Sequence, residues 1–229
     1  MTLTLKEILI KENLMLSGNP RGTDKGDYKS YIEKFYEGAF QPFRNKKISL
    51  LEIGTRHGAS LALWSSYFEL GQIMGIDNYS DLALLDDPPD QNWVSRPNVK
   101  ILSADAYDPE FARSINIEFD IVIDDGPHSK ASQKAALMLY LPKLKMDGLF
   151  IIEDIQSWAR LAVFGFIRFI PMRYSIHPLD FRADGKGDDN FLFVVKRCKK
   201  FQTFNHIKVL ICAIFGIMYE VLIKLRTFR

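Results

Sequence analysis

Acidic residues, glycines and a histidine lie at the ends of three apolar, strand-length segments of this 229-residue chain. The three segments are Ile48–Ile53, Phe119–Asp124 and Leu149–Glu153. Ligands of an open parallel sheet bind in the crevice beyond the carboxyl ends of its strands. Acids concentrated at such ends therefore predict a nucleotide-type cofactor site beside a carboxylate-rich reaction centre that binds a metal.

The first segment runs into a glycine loop, Glu52-x-Gly54-x-x-x-Gly58, which opens a predicted helix from Ser60 to Leu70. Glycines let the backbone turn tightly and approach a ligand closely, and the start of the helix offers free N–H groups. The spacing is not the G-x-G-x-x-G of dinucleotide-binding folds. Taken alone, the loop also fits a left-handed turn that binds no ligand.

Two further acids favour a nucleoside over an empty turn. Asp77 ends the next predicted strand about twenty residues on, where a carboxylate can bind two ribose hydroxyls. Asp105 follows the third predicted strand, Val99–Leu102, where an acid can reach an adenine amine. Together the three strand ends predict a mononucleoside site.

These motifs resemble those of class I S-adenosylmethionine-dependent methyltransferases, through Leu51–Ser60, Gly75–Asp77 and Ser103–Asp105. The resemblance implies an α/β, Rossmann-like mixed sheet of seven strands in the order 3-2-1-4-5-7-6, with helices on both faces and strand seven antiparallel. It implies that the glycine loop lines the methionine and ribose, that Asp77 binds the ribose and that Asp105 binds the adenine. The expected cofactor contacts are Glu52, Gly54, Thr55, Gly58, Ser60, Asp77, Asp105 and Asp124.

In that strand order the fourth and fifth strands are neighbours, so their ends lie about 5 Å apart. Asp125 and the Glu153-Asp154 pair therefore converge. Close carboxylates repel one another unless a cation neutralises them, and oxygen donors favour a hard cation such as Mg²⁺ over Zn²⁺. His128 follows in the same loop and is a candidate proton acceptor at neutral pH. The alternative is that these acids cap helices and that Asp-Gly-Pro is an ordinary turn.

Asp124–His128 and Ile152–Gln156 resemble segments of the metal-dependent sugar O-methyltransferases of macrolide and polysaccharide pathways, and of related cephalosporin-modifying proteins. Three further segments resemble parts of these proteins, and the similarity extends over residues 20 to 197: Gly22–Lys25, Leu179–Arg182 and Gly187–Asp189. The resemblance implies that the metal ligands are Asp125, Glu153 and Asp154. It implies that His128 is the general base, and it places Pro127 where many relatives carry serine.

The resemblance thus predicts an enzyme (EC 2.1.1.-) that moves a methyl group from S-adenosylmethionine to a saccharide hydroxyl of a surface glycan, glycolipid or glycosylated natural product. The protein would align the acceptor oxygen opposite the sulfur. Mg²⁺ or another hard divalent cation would orient and acidify two vicinal hydroxyls, and His128 would take the proton. Two alternatives stay open, namely a non-catalytic nucleoside-binding module and an oxidoreductase that uses NAD in the same crevice.

Charge is unevenly distributed along the chain. Residues 1–195 carry 22 basic and 27 acidic residues, whereas the remainder carries eight basic residues and one acid, Glu220. The acidic body argues against broad nucleic-acid binding. Cys198 and Cys212 imply no disulfide framework, which fits a reducing, cytoplasmic location, either free or at the inner face of the membrane. The first 16 residues predict a short amphipathic helix rather than a secretory signal.

The domain organisation predicted is a methyltransferase domain over residues 1–197 and a basic, apolar helix over residues 198–229. Val209–Tyr219 is an unbroken apolar run, and its extension to Ile207–Ile223 has the length of a minimal membrane span. Basic flanks suit anionic lipid headgroups. The alternatives are a homodimerisation helix and a helix docked on the domain.

Several other segments have open interpretations. Tyr28–Phe40 predicts a helix, and Trp158–Arg173 is either a lid or substrate wall or a segment packed on the sheet. Two interpretations are open for Tyr31, Arg56 and Arg182: a contact with cofactor or acceptor, and an ordinary core or surface role. His57 lies in the glycine loop without an assigned role.

Overall fold

A single mixed sheet of seven strands organises the protein, in the order β3-β2-β1-β4-β5-β7-β6. The structure is a computed structural model that describes residues 2–159 and 170–227. The strands are β1 (Ser49–Ile53), β2 (Gln72–Asp77), β3 (Val99–Ser103), β4 (Phe119–Asp124), β5 (Leu144–Ile152), β6 (Tyr174–Asp180) and β7 (Phe191–Arg197). β7 is antiparallel to both of its neighbours, and the pairs from β3 to β5 are parallel. The predicted fold class and strand order are confirmed.

Helices cover both faces of this sheet. They are α1 (Leu5–Lys11), α2 (Glu37–Phe40), α3 (Ala59–Tyr67), α4 (Ser80–Leu85), α5 (Gln91–Val94), α6 (Pro109–Ser114), α7 (Lys130–Tyr140) and the C-terminal helix (Thr203–Thr227). One apolar core packs α1, α2 and α3 against one face, and the other packs α6, α7 and Val209 of the C-terminal helix against the opposite face. The central strands are apolar on both faces because both are covered.

The strand register brings the ends of β1, β4 and β5 to one level. Ile53 lies opposite Asp124, and Asp124 lies opposite Ile152. The ladder continues past the strands, since the N–H groups of Asp125 and Glu153 donate to the carbonyls of Ile53 and Asp124. The loops that carry the predicted acids therefore leave the sheet side by side.

Local geometry departs from the sequence prediction in the first half of the chain. The helix predicted from Tyr28 begins with a π-helical turn at Ile32–Tyr36 and continues as α2. Helices α4, α5 and α6 are short and were not predicted, because six or fewer residues show no helical periodicity.

Most of the segment Trp158–Arg173 lies outside the described residues, so its lid or wall role stays a prediction.

The C-terminal helix docks against the edge strand β6. Asn205 hydrogen-bonds both the N–H and the C=O of Ile176, and His206 contacts the carbonyl of Tyr174 at 2.7 Å. Farther along, Gly216 lies under the ring of Trp158, and a Cβ there would lie 2.3 Å from that ring. A glycine is therefore required where the helix meets the ring. On this side the helix is docked on the domain, as one of the alternatives from the sequence states.

Candidate functional site

A pocket of about 540 Å³ opens beyond the carboxyl ends of β1, β2, β3 and β4. Its volume is in the range of sites that take a small molecule or cofactor. Of the residues predicted for cofactor binding, its wall includes Gly54, Thr55, Ser60, Asp77 and Asp105. Asp125, His128 and Asp154 lie on the same wall, so one cavity joins most of the predicted nucleoside site to most of the predicted reaction centre.

The glycine loop is shaped by contact between neighbouring strand ends. Gly54 has a φ of +81°, and a Cβ there would lie 2.2 Å from the backbone oxygen of Asp125. Only glycine allows that approach, because the left-handed conformation and the close carbonyl both exclude a side chain. Arg56, His128 and Asp154 also have positive φ values around the pocket. Such backbone strain in non-glycine residues concentrates at functional sites.

Asp77 braces the glycine loop from the end of β2. One of its carboxylate oxygens accepts hydrogen bonds from the N–H groups of Thr55 at 2.7 Å and Arg56 at 2.8 Å, and the other from that of Tyr79 at 2.8 Å. Each oxygen has two lone pairs, so the oxygen bonded to Tyr79 retains capacity for a ligand hydroxyl. Asp105 is exposed on the wall, and its carboxylate accepts from the N–H of Tyr107.

Three predicted cofactor residues do not line the pocket. Gly58 has a φ of +96° and is the N-cap of α3, and a Cβ there would clash with Val94. Glu52 is fully buried and accepts a hydrogen bond from Trp64, while Asp124 accepts one from the hydroxyl of Tyr107 at 2.8 Å. Burial raises the pKa of Glu52 to about 7 and that of Asp124 to about 6. Each interacts with a residue of the pocket wall, Glu52 with Ser60 and Asp124 with Tyr107.

A buried lysine holds the acidic strand ends together. The Nζ of Lys25 lies 2.6 Å from an oxygen of Asp125, 2.8 Å from one of Glu153 and 3.8 Å from one of Glu52, and its side chain is fully buried. Burial alone would lower the pKa of Lys25, but the surrounding carboxylates outweigh it and raise that pKa well above its usual value. The ammonium therefore supplies the positive charge that the clustered acids require.

A second lysine and two tyrosines complete the network. Lys29 lies 3.0 Å from Asp154 and also pairs with Asp189. The hydroxyl of Tyr31 donates to Asp154 at 2.7 Å, and the hydroxyl of Tyr36 donates to Glu153. Burial raises the pKa of Glu153 well above its usual value, Lys25 opposes that rise, and Asp125 adds to it.

His128 lies between two carboxylates at the rim of this network. Its Nε2 is 3.2 Å from Asp125 and its Nδ1 is 3.6 Å from Asp154. Burial would lower the pKa of His128, but the hydrogen bond and the charge of Asp125 raise it to about 9. In the arrangement described, the imidazole is therefore protonated at neutral pH and is not yet a proton acceptor.

The same three residues form a candidate cation site. Asp125, His128 and Asp154 each offer a ligand atom, and these atoms lie within 4.8 Å of one another. Two carboxylates and an imidazole fit a divalent cation. Glu153, predicted as the third carboxylate ligand, lies outside this trio, and its two oxygens accept hydrogen bonds from Lys25 and Tyr36. Its ligand role stays a prediction.

Sequence reasoning missed the lysines. Lys25 belongs to the Gly22–Lys25 segment that carried a resemblance, but a lysine in a turn-rich loop is ordinarily solvated, and nothing local signals that it is buried.

Tyr31 was a candidate contact, and its hydroxyl does reach the acidic cluster at Asp154. Arg56 lines the pocket, whereas Arg182 braces Asp180 and Glu220 away from its wall. His57, left without a role, contacts Asp87 at 2.8 Å.

Comparison with known proteins finds similar methyltransferases. Residues 51–155 match a family described as a methyltransferase domain. The 8-demethyl-8-alpha-L-rhamnosyl tetracenomycin-C 2'-O-methyltransferase of Streptomyces olivaceus is 33% identical over 146 residues, covering 59% of this chain and 36% of that protein. The mycinamicin VI 2''-O-methyltransferase of Micromonospora griseorubida is 32% identical over 145 residues, covering 59% and 34% respectively.

This chain therefore spans about a third of the length of these curated relatives. Among solved structures, the MycE methyltransferase of the mycinamycin biosynthetic pathway, in complex with Mg, SAH and mycinamycin VI, superposes with a TM-score of 0.62. It is 22% identical, and the match covers 86% of this chain and 54% of that one. The predicted resemblance to sugar O-methyltransferases of natural-product pathways is confirmed.

Proposed function

We propose that this protein is an O-methyltransferase that uses S-adenosylmethionine and a hard divalent cation to methylate a saccharide hydroxyl. One observation carries the proposal: a single pocket wall holds Gly54, Asp77 and Asp105 together with Asp125, His128 and Asp154. The names of the similar proteins support a sugar oxygen as the acceptor. The acceptor would belong to a surface glycan, a glycolipid or a glycosylated natural product.

The nucleoside would occupy the part of the pocket beside β1, β2 and β3. Gly54 would leave the wall open for the methionine portion, the carboxylate of Asp77 would bind the ribose, and the exposed Asp105 would bind the adenine. This division would bring the reactive methyl near the end of β4, close to Asp125 and His128. Alignment of that methyl with the acceptor oxygen is the main task left to the protein.

The cation would lie between β4 and β5. Asp125 and Asp154 are its proposed carboxylate ligands, with Glu153 as the third. Lys25 already compensates Asp125 and Glu153, so its ammonium and a divalent cation compete for the same two carboxylates. When bound, the cation supplies Lewis acidity toward the acceptor hydroxyls.

His128 would remove the proton from the acceptor oxygen. To do so the imidazole must be neutral, and Asp125 currently stabilises its protonated form. A cation bound by Asp125 and Asp154 would weaken that stabilisation and lower the pKa of the ring toward neutrality. The two free cysteines fit a reducing compartment, and we place the reaction in the cytoplasm.

Asp77→Ala should weaken S-adenosylmethionine binding by about 1–3 kcal/mol, because charged hydrogen bonds to the ribose are lost and the glycine loop loses its brace. Isothermal titration calorimetry measures this change. Asp108→Ala is the matched control, since Asp108 caps α6 and does not line the pocket. Unchanged affinity in Asp77→Ala, or measurable NAD binding by the unaltered protein, would contradict the assigned cofactor.

Asp154→Ala should weaken Mg²⁺ binding, and excess Mg²⁺ should restore part of the methyl transfer because one ligand among several is lost. Calorimetry with Mg²⁺ or Mn²⁺ reports the affinity directly. Asp189→Ala is the control, because it removes the other carboxylate paired with Lys29 and leaves the trio intact. Equal cation affinity in the two variants would show that Asp154 is not a ligand.

A further inference from the structure

The C-terminal helix presents a broad apolar face to solvent. Phe204 is 91% exposed, Phe215 65% and Tyr219 66%, and three half-exposed isoleucines lie between them, namely Ile207, Ile211 and Ile214. Thr203–Leu222 is long and apolar enough to cross a membrane, judged by length and composition. Contiguous apolar surface of this extent on a soluble domain indicates an interaction site.

The opposite side of the same helix is fixed to the domain. His206, Val209 and Ala213 are buried at helical spacing, and Gly216 continues that side beneath Trp158. Glu220, the one acid in the sequence of the helix, also points inward. Its carboxylate lies 2.9 Å from Arg182 and accepts a hydrogen bond from the N–H of Trp158.

Inward placement of Glu220 leaves the outward face without negative charge over residues 203–222. Lys208 is exposed on the helix, and Lys196, Lys199 and Lys200 are exposed just before it. Exposed bulky apolar groups together with exposed ammonium groups on and just before the same helix suit the boundary of a bilayer whose headgroups are anionic.

We propose that the outward face of the C-terminal helix docks on an anionic lipid surface and lies in the headgroup region rather than crossing the bilayer. A crossing helix would have to abandon its contacts with β6 and Trp158 and carry Lys208 and Glu220 into hydrocarbon. A second copy of the chain is a poor occupant, because each tail carries eight basic residues and one acid from Lys196 onward and the two would repel.

Docking would place the reaction centre close to the lipid surface. Trp158, which rests on the helix, follows Asp154 by four residues, so at most about 14 Å of chain joins the helix contact to the cation site. If the proposed function holds, the saccharide acceptor would be presented at the membrane, as in a lipid-linked glycan. This consequence rests on the proposed function, whereas the lipid contact does not.

Vesicle co-sedimentation of the full chain tests the contact without any methyl transfer. The protein should sediment with phosphatidylcholine vesicles that contain phosphatidylglycerol and stay in the supernatant with phosphatidylcholine alone. Raising the salt from about 0.1 M to about 1 M should release it, since the screening length falls from about 10 Å to about 3 Å. Lys199→Ala/Lys200→Ala should lower the partition coefficient about 30-fold, because each surface lysine contributes about fivefold.

Phe204→Glu/Phe215→Glu should abolish sedimentation while leaving S-adenosylmethionine binding and thermal unfolding unchanged, since both side chains are mostly exposed. Ile10→Glu/Met138→Glu is the matched control; it adds the same charge at residues that are 58% and 54% exposed elsewhere. Failure of the unaltered chain to sediment, or loss of sedimentation in the control, would overturn the proposal. A dimer that persists at high salt and is lost in Phe204→Glu/Phe215→Glu would also overturn it. So would sedimented protein that leaves the vesicles only when detergent is added.

Discussion

Lys25→Met should lower the free energy of unfolding by about 3–5 kcal/mol, the usual cost of removing one partner from a buried charge network. Methionine keeps the length of the side chain but leaves Asp125 and Glu153 without the ammonium that lies 2.6 Å and 2.8 Å from them. Chemical denaturation followed by circular dichroism measures the loss. Lys34→Met is the matched control: Lys34 pairs with Asp184 at the surface, and such pairs contribute about 0–1 kcal/mol.

The same variant reports on competition between lysine and cation. If a divalent cation shares the carboxylates that Lys25 compensates, Mg²⁺ should stabilise Lys25→Met more than the unaltered protein. Affinity for Mg²⁺ should also rise in the variant, because no ammonium has to be displaced. Equal stability of Lys25→Met and Lys34→Met would mean that the buried network contributes little, and unchanged Mg²⁺ affinity would separate the cation site from Lys25.

His128→Ala should reduce the rate of methyl transfer by about 10²–10⁴-fold, the usual contribution of a general base. Affinity for S-adenosylmethionine should stay near that of the unaltered protein, since the ring faces Asp125 and Asp154 rather than the predicted nucleoside residues. The rate of the unaltered protein should rise with pH, because the ring accepts a proton only after losing its own. The midpoint of this rise should lie below pH 9, because a cation bound by Asp125 and Asp154 would weaken the stabilisation that raises the pKa of His128 to about 9.

Excess Mg²⁺ separates two roles of this histidine. A ring that served only as a cation ligand would be replaceable at high Mg²⁺, whereas a proton acceptor would not be. His177→Ala is the control, because His177 contacts Ser175 on β6 and does not line the pocket. Full activity of His128→Ala, or full rescue by Mg²⁺, would remove His128 from the role of base.

The sequence specified the sheet well for a physical reason. Strands buried on both faces are near-continuous apolar runs, so β4 was placed at its observed bounds and β1 within one residue. Resemblance then supplied the strand order, which spacing does not determine. β5 begins five residues earlier than predicted. Its first part, Leu144–Gly148, was missed because it mixes polar and apolar residues, and it pairs with β4 across a register shift.

The candidate site was predicted in outline, and its charge balance was not. Carboxylates at strand ends are visible because each follows an apolar run, so Asp77, Asp105 and Asp125 were identified. Lys25 reaches Asp125 and Glu153 across 100 and 128 residues of sequence, and no local pattern encodes contacts of that range. Tyr36 belongs to the helix predicted over Tyr28–Phe40, but helical periodicity does not show that its hydroxyl donates a hydrogen bond to Glu153.

Transfer of a labelled methyl group from S-adenosylmethionine to a panel of glycosides tests the central claim most directly. The reaction would be run with purified full chain after chelation by EDTA, and again after addition of Mg²⁺. We predict that label enters the oxygen of a saccharide hydroxyl only when Mg²⁺ is restored, with His177→Ala active and His128→Ala nearly inactive. Methyl transfer that proceeds equally in thoroughly chelated buffer, or label found only on nitrogen acceptors, would contradict a metal-dependent sugar O-methyltransferase.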